Sequence, residues 1–160
     1  MRKLSYTNSI KKREVQNKIL PFVSNGRVCA LGGPDIDEYV SLLKTYGFGD
    51  ITIFENDKVI LLQQLYKFPQ GITLMYKNIL EHLNRNCYYD LDFCFSIQKI
   101  MPRLKKIVSL QEYSLTLSVR PIGTEKTVAI MKEYDPDIKY MTYQDTTPMI
   151  TFYKVSKSIT

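Results

Sequence analysis

Histidine occurs once, as His82, and cysteine three times, as Cys29, Cys87 and Cys94. One imidazole leaves little material for a histidine-based zinc site or a Ser-His-Asp triad. The three thiols are odd in number and lack metal-ligand spacing, so no metal is expected. They read as small buried apolar groups in a reducing, cytoplasmic compartment. No window approaches the roughly 18 consecutive apolar residues of a membrane span, so no membrane partner is expected. The start, Met1-Arg-Lys-Leu-Ser-Tyr-Thr-Asn, has basic residues but no apolar run behind them, and a secretory signal is not expected either. Internal repeats, low-complexity tracts and linkers are also missing, which points to one domain over residues 1–160.

What is present is ordinary for a globular chain: 44% hydrophobic and 24% charged residues, enough for a real core. The net charge of +6 permits an anionic partner without requiring one. Residues 9–23 form an amphipathic helical pattern, capped by Asn8 or Ser9. Ile10, Val15, Ile19, Leu20 and Val23 lie on its apolar side, with Lys11, Lys12, Arg13 and Lys18 solvated. Strands are expected at 27–31, 50–55, 71–76, 88–96 and 113–120, and the end reads as a β-hairpin. Helices are expected at 36–46, with Asp35 capping it through its side chain, and at 57–66, with Val59, Leu62 and Leu65 or Tyr66 inward. A short helix or turn follows near 79–84. A clear amphipathic helix starts at Ile97, with Ile97, Ile100, Met101, Leu104, Ile107 and Val108 on one face, and a last one covers 124–133.

The most informative stretch is Arg27-Val-Cys-Ala-Leu-Gly-Gly-Pro-Asp35 followed, after a helix, by Asp50-Ile-Thr-Ile-Phe-Glu55. Glycines let the backbone approach a ligand, and an acid at the end of the next strand suits two ribose hydroxyls. Gly32 and Glu55 lie close to the roughly 20-residue separation of that arrangement. Glu55 also suits the dipole of the following helix, and the two roles are compatible. Asp90 and Asp92 share one face of a strand otherwise built from Leu, Phe and Cys. Each therefore needs a partner or a place at the strand's open end.

Strand-helix alternation closed by a hairpin resembles the class I S-adenosylmethionine-dependent methyltransferases. The resemblance implies a three-layer α/β/α, Rossmann-like fold. Its sheet has seven mostly parallel strands in the order 3-2-1-4-5-7-6, spanning about residues 27–156, with the helix at 9–23 in front. It also implies S-adenosylmethionine as cofactor. Carried over by position, Leu31, Gly32 and Gly33 resemble the turn under the methionine part, and Asp35 sits where a side chain would meet its ammonium. Glu55 is similar to the acid on the ribose, Phe54 or Asn56 would flank the adenine, and Asn78 resembles the residue that meets the adenine amino group. Asp90 opens the fourth strand as the family's fourth motif does. Asp92-Phe-Cys-Phe95 is partly similar to the Asp-Pro-Pro-aromatic signature of enzymes that methylate base amino groups, making Asp92 and Phe95 the catalytic candidates.

Lys99, Arg103 and Lys106 share a helix face and would hold phosphates, although such a stripe also suits a solvated helix face. Two functions stay open. One is methyl transfer to a nucleic acid. The other is a catalytically inactive methyltransferase-like scaffold that binds a partner, favoured by Gly-Gly-Pro in place of Gly-x-Gly and by the missing prolines after Asp92. A dehydrogenase is a more distant third, because the final hairpin is atypical of nicotinamide folds.

Overall fold

The computed structural model describes residues 10–157. Short apolar segments at Arg27–Leu31 (β1), Asp50–Glu55 (β2), Ile72–Tyr76 (β3), Tyr88–Asp92 (β4) and Tyr113–Ser118 (β5) form a parallel set. Lys139–Gln144 (β6) and Pro148–Lys154 (β7) make the terminal hairpin, and β7 pairs antiparallel with β5. The sheet order is β3-β2-β1-β4-β5-β7-β6, the order implied by the resemblance. Five α-helices flank it: Ile10–Ile19 (α1), Ile36–Thr45 (α2), Lys58–Tyr66 (α3), Leu104–Val108 (α4) and Thr124–Tyr134 (α5). Among the described residues, no helix is long and apolar enough to cross a membrane.

Alternation along the strands divides the core in two. Val28, Ala30, Ile51 and Ile53 meet Ile36, Tyr39, Val40 and Leu43 of α2 on one face. Cys29, Leu91, Tyr113, Leu115 and Phe152 meet Ile100, Leu104, Ile107 and Met131 on the other. Each buried Leu or Ile removes enough surface from water to contribute about 1.5–3 kcal/mol. On the α1 side, β4, β5 and β7 instead present a polar seam. Asp90, Asp92, Ser114, Thr116 and Thr151 lie under Val15, Gln16 and Ile19 of α1.

Several local expectations are corrected. The first helix stops at Ile19 and continues as a 3-10 turn at Leu20–Phe22. Its expected caps, Asn8 and Ser9, lie outside the described residues, and Ile10 is exposed instead of packed. Lys12 is not solvated: its side chain turns inward to Asp92. In α3 the inward residues are Ile60 and Gln64, whereas Val59, Leu62, Leu65 and Tyr66 are exposed. Hydrophobicity alone would have rotated the helix the other way. Its rotation follows instead from Asp57, which accepts from Val59 N (2.9 Å) and Ile60 N (3.3 Å), and from the polar contacts of Gln64.

The helix expected from Ile97 is a 3-10 segment over Ile97–Arg103 and turns α-helical only at Leu104. Pro102 has no N–H to give to an α-turn at this point. Three-residue spacing keeps Ile97 and Ile100 buried, but it leaves Met101 exposed. β4 ends at Asp92 and not at Ser96: Phe93 N still reaches Thr116 O at 2.9 Å, after which the chain peels away from β5. β5 likewise ends at Ser118, and the turn at 79–84 is reduced to a 3-10 turn at Ile79–Glu81.

Glu112, just before β5, ties distant parts of the chain together. Its buried carboxylate accepts from Ser24 N (2.8 Å), Asn25 N (2.9 Å) and Ser156 N (2.9 Å), joining the lead-in to β1 with the exit from β7. Charge-assisted bonds of this kind are the strong ones. Glu112→Ala leaves three backbone donors without their acceptor and is expected to cost about 3 kcal/mol. That is a fall of about 6–12 °C in Tm for a chain of this size, read by calorimetry. A change under one degree would show that the clamp is not needed.

Candidate functional site

The carboxyl ends of β1, β2 and β4 meet on one edge of the sheet, where the strand order reverses and open α/β sheets bind ligands. The loop after β1 turns at once. Gly33 takes φ +64°, in the left-handed region that favours glycine. A Cβ on Gly32 would stand 3.0 Å from Ile53 Cγ2 and 3.2 Å from Ile36 Cγ1, tighter than ordinary contact, so a side chain here would push on the packing of β2 and α2.

Glu55 ends β2 and is buried. Its Oε2 accepts from Asp57 N at 3.0 Å and its Oε1 from Gln64 Nε2 at 3.3 Å. Gln64 Nε2 also donates to Gly33 O at 2.9 Å, so one fully buried amide spans the turn and the acid. Gln64 Oε1 has no hydrogen-bond partner among the described residues. Burial pushes the Glu55 carboxyl above its ordinary value, against the lowering effect of bonds from Asp57, Asn56 and Gln64.

A cavity of about 240 Å³ opens beside this bridge. Its walls are Leu31 and Gly33, Glu55 and Asn56, Lys77 to Leu80, and Asp92 to Phe95. A second space of only about 20 Å³ continues it under α1, sharing Leu31, Gly33 and Asp92 and adding Lys12, Gln16, Gly32, Tyr39 and Asp90. A larger hollow of about 560 Å³, lined by Tyr134, Asp135, Asp137 and Lys154 among others, lies at the opposite end of the sheet. Volume does not select the site; the position of strand ends does.

Of the residues chosen from sequence, Leu31, Gly33, Glu55, Asn56, Asn78, Asp92 and Phe95 line the larger cavity, while Gly32 and Asp90 border the smaller one; Phe54 is instead fully buried in the core, so of the two residues offered for the adenine only Asn56 reaches the cavity. Asp35 does not behave as expected. It precedes α2, but its side chain makes no capping bond; its carboxylate sits 3.9 Å from Lys67 Nζ instead. Asn78 caps the next turn, its Oδ1 accepting from Leu80 N at 3.0 Å. Its amide NH2 is thus the group left to present to a base. That is a donor suited to a ring nitrogen rather than an acceptor for an exocyclic amine.

Asp90 is enclosed by hydroxyls. It accepts from Tyr39 OH and from Ser114 Oγ (2.9 Å), and Ser114 Oγ in turn meets Tyr88 OH at 2.6 Å. Burial first, and the Asp90 charge second, push both phenols well above their ordinary value. Asp92, two residues on and on the same face, pairs with Lys12. Burial pushes the Lys12 ammonium below its ordinary value despite nearby negative charge.

Phe93 and Phe95 stack with centroids 4.6 Å apart, and Lys99 Nζ lies 5.3 Å from the Phe95 centroid. Arg103 donates to Leu80 O at 3.3 Å. Two of the three stripe residues therefore touch walls of the cavity, whereas Lys106 lies exposed on α4. The 3-10 segment breaks the single stripe the α-helical spacing suggested. Cys29 and Cys87 are buried with sulfurs 2.6 Å apart, but Cys94 is exposed on the cavity wall, contrary to the expectation for all three thiols.

Sequence reasoning missed Gln64, Lys12, Gln16, Tyr39, Phe93 and Cys94. Gln64 had no signal of its own, because four exposed apolar side chains on the same helix outweighed it. Lys12 had one in hindsight: it lies three residues from Val15, on the side of α1 that is buried.

Comparison with known proteins agrees with this architecture. Human methyltransferase-like protein 13, solved with S-adenosylhomocysteine, superposes with TM-score 0.65 at 15% identity over 95% of this chain and 86% of its own. A Clostridium thermocellum protein inferred to be an rRNA-methylase gives 0.64 at 14% identity, over 95% and 99%. An S-adenosylmethionine-dependent methyltransferase from Mesorhizobium loti gives 0.63 at 9% identity, over 93% and 99%. No protein-family model matches the chain, and no curated protein matches it in sequence. The chain takes the fold of the class I S-adenosylmethionine-dependent methyltransferases.

Gln64→Leu removes the donor shared by Gly33 and Glu55. It is expected to cost about 1–3 kcal/mol in chemical denaturation, since both acceptors stay buried. It also raises the Glu55 carboxyl further, because the Gln64 bond lowers it. Carbon-13 NMR titration of Glu55 reads the second effect, and an unmoved curve would show that the bridge is electrostatically idle.

Proposed function

We propose that the chain binds S-adenosylmethionine and transfers its methyl group to a nucleic acid. The observation that carries the proposal is the single cavity bounded by the Gly33 turn, Glu55, Asn78 and the Asp92–Phe95 loop. Its donor set fits an adenosine: the Glu55 carboxylate for ribose hydroxyls, the Asn78 amide for a ring nitrogen, and bare main chain at Gly32 and Gly33. When bound, the cofactor supplies an electrophilic methyl carbon on a sulfonium, so the protein's task is alignment and exclusion of water. Asp92, where the two cavities meet, orients the acceptor and takes its proton. Phe95, backed by Phe93, supports a planar base.

Three features support a nucleic-acid acceptor. Lys77, Lys99 and Arg103 lie on or against the cavity wall, a stacked aromatic pair stands at its edge, and the net charge is +6. The similarity to a protein inferred to be an rRNA-methylase adds to them. The proposal includes a single domain over the whole chain and a cytoplasmic location. The inactive-scaffold reading is favoured by one observation, the Lys12–Asp92 pair occupying the smaller space.

Millimolar S-adenosylhomocysteine is expected to raise the melting midpoint and to slow alkylation of Cys94, the exposed thiol on the cavity wall. Neither effect occurring would sink the cofactor assignment. Asp92→Ala is expected to lower methyl transfer to RNA or DNA about a hundredfold or more while cofactor binding persists. A scaffold would show no transfer in either form.

The sign of the pH effect follows from Glu55. Burial raises its carboxyl, and ribose hydroxyls favour the charged form. Binding therefore releases protons, and affinity falls as pH drops from neutrality through the raised value. Calorimetry in buffers of different ionisation heat reads that release.

A further inference from the structure

Of the ten large apolar side chains most exposed among the described residues, six fall between positions 59 and 76: Val59, Leu62, Leu65, Tyr66, Phe68 and Tyr76. The first four make one stripe on the outer side of α3, and Tyr66 is 93% exposed. Phe68 stands in the turn out of α3, and Tyr76 ends β3. Together they leave roughly 650 Å² uncovered. The largest apolar patch of a typical monomer is about 300–600 Å².

β3 adds a second anomaly. It ends the sheet, so one row of its N–H and C=O groups faces outward. Natural edge strands are blunted by charge, by proline or by a covering element. The other edge, β6, opens on Lys139, and its Met141 and Tyr143 pack under Val15 and Ile19 of α1. The five residues of β3, Ile72-Thr-Leu-Met-Tyr76, include neither a charge nor a proline. The apolar stripe and the open edge adjoin, because α3 is the crossover from β2 to β3.

A second copy of the chain satisfies both at once. Turned about a twofold axis normal to the sheet, β3 meets β3 antiparallel, with Leu74 opposite Leu74 and Ile72 opposite Tyr76. Strands about 4.8 Å apart then bring the two crossover helices to about 10 Å, an ordinary packing distance. The helices run antiparallel, so Leu62, at the middle of each, faces its equivalent, and Val59 faces Tyr66. Lys58, at the helix end, is the one charged residue in α3 and β3, so no like charges meet at the axis. The two faces together bury roughly 1,300 Å², within the range of about 1,200–2,000 Å² for stable specific interfaces.

We infer that the chain is a twofold homodimer through α3 and β3, its two seven-stranded sheets joined edge to edge. The inference stands apart from the cofactor assignment. The two cavities open at opposite ends of the joined sheet, and pairing braces the strand that leads into the Lys77 to Leu80 wall.

Sedimentation equilibrium at about 50 μM is expected to give twice the 18.7 kDa of one chain. Leu62→Glu sets two carboxylates against each other at the axis. It is expected to raise the dimer dissociation constant about a hundredfold or more with the circular dichroism unchanged. Tyr140→Glu, on the opposite edge, is expected to leave that constant within about twofold. In a Cys94→Ser background, Leu62→Cys is expected to link two copies through a disulfide on copper-catalysed air oxidation. Tyr66→Cys, at the helix end, is expected to link at most about a tenth as much. A monomer at the same concentration overturns the inference and leaves the face to a different chain. A dimer that survives Leu62→Glu, or that links equally well from position 66, overturns the assigned face and axis. If Leu62→Glu fails to fold, the two cysteine variants decide alone.

Discussion

With its amide nitrogen 2.9 Å from the Gly33 carbonyl and 3.3 Å from the Glu55 carboxylate, Gln64 joins the loop after β1 to the end of β2, and the crevice takes its spacing from that bridge. The turn cannot lift away, because Gln64 holds its carbonyl. Gly32 leaves no room for a side chain there, since an added Cβ would stand 3.0 Å from Ile53 and 3.2 Å from Ile36. Glu55 is fixed from both sides, by Gln64 and by the Asp57 amide. The helix that carries Gln64 accepts a cost for this. It turns a polar side chain inward and leaves Val59, Leu62, Leu65 and Tyr66 in water, a local conflict of the kind that gathers around functional sites.

Topology supplies the opening that the bridge then shapes. β1 lies between β2 and β4, and the chain leaves β1 toward β2 and later returns to β4, so their carboxyl ends diverge at that point. β4 widens the gap by ending early. After Phe93 it leaves β5, and Phe95 reconnects only through Ser118 N to Phe95 O at 3.1 Å. The freed residues become wall, and their two rings stack on each other instead of entering the sheet.

The strand positions and the pairing of glycine turn with acid were legible because they depend on local pattern: apolar runs of strand length, glycines that break them, an acid after the next run; the sheet order came only with the family resemblance. The same logic placed Glu55 and Gly33 on one cavity. It misjudged α3, since a count of apolar residues cannot see that Gln64 has two acceptors waiting on other elements. It misjudged residues 97–108 for a different reason. An apolar face at Ile97, Ile100, Leu104 and Ile107 is compatible with a 3-10 start as well as an α-helix, and Pro102 decides between them through a missing donor. Lys12 was read as solvent-facing because lysines on an amphipathic helix usually are. Only the polar seam beneath α1, assembled from three strands far apart in sequence, explains its inward turn.

Asp90 and Asp92 show why position on a strand does not by itself define a role. They are two residues apart, share a face and border the same small space. Asp90 is held by hydroxyls on two elements, Tyr39 from α2 and Ser114 from β5, and Ser114 is held in turn by Tyr88. Moving Asp90 would strand several buried groups at once, which is costly away from water. Asp92 has a different kind of partner, one ammonium on a flexible stem. A buried ion pair contributes little net stability, because desolvating two charges offsets most of their attraction. The pair can therefore be opened at small cost by any ligand that replaces one member. Of the two carboxylates, Asp92 is the one that can be redeployed, and it is also the one at the junction with the larger cavity.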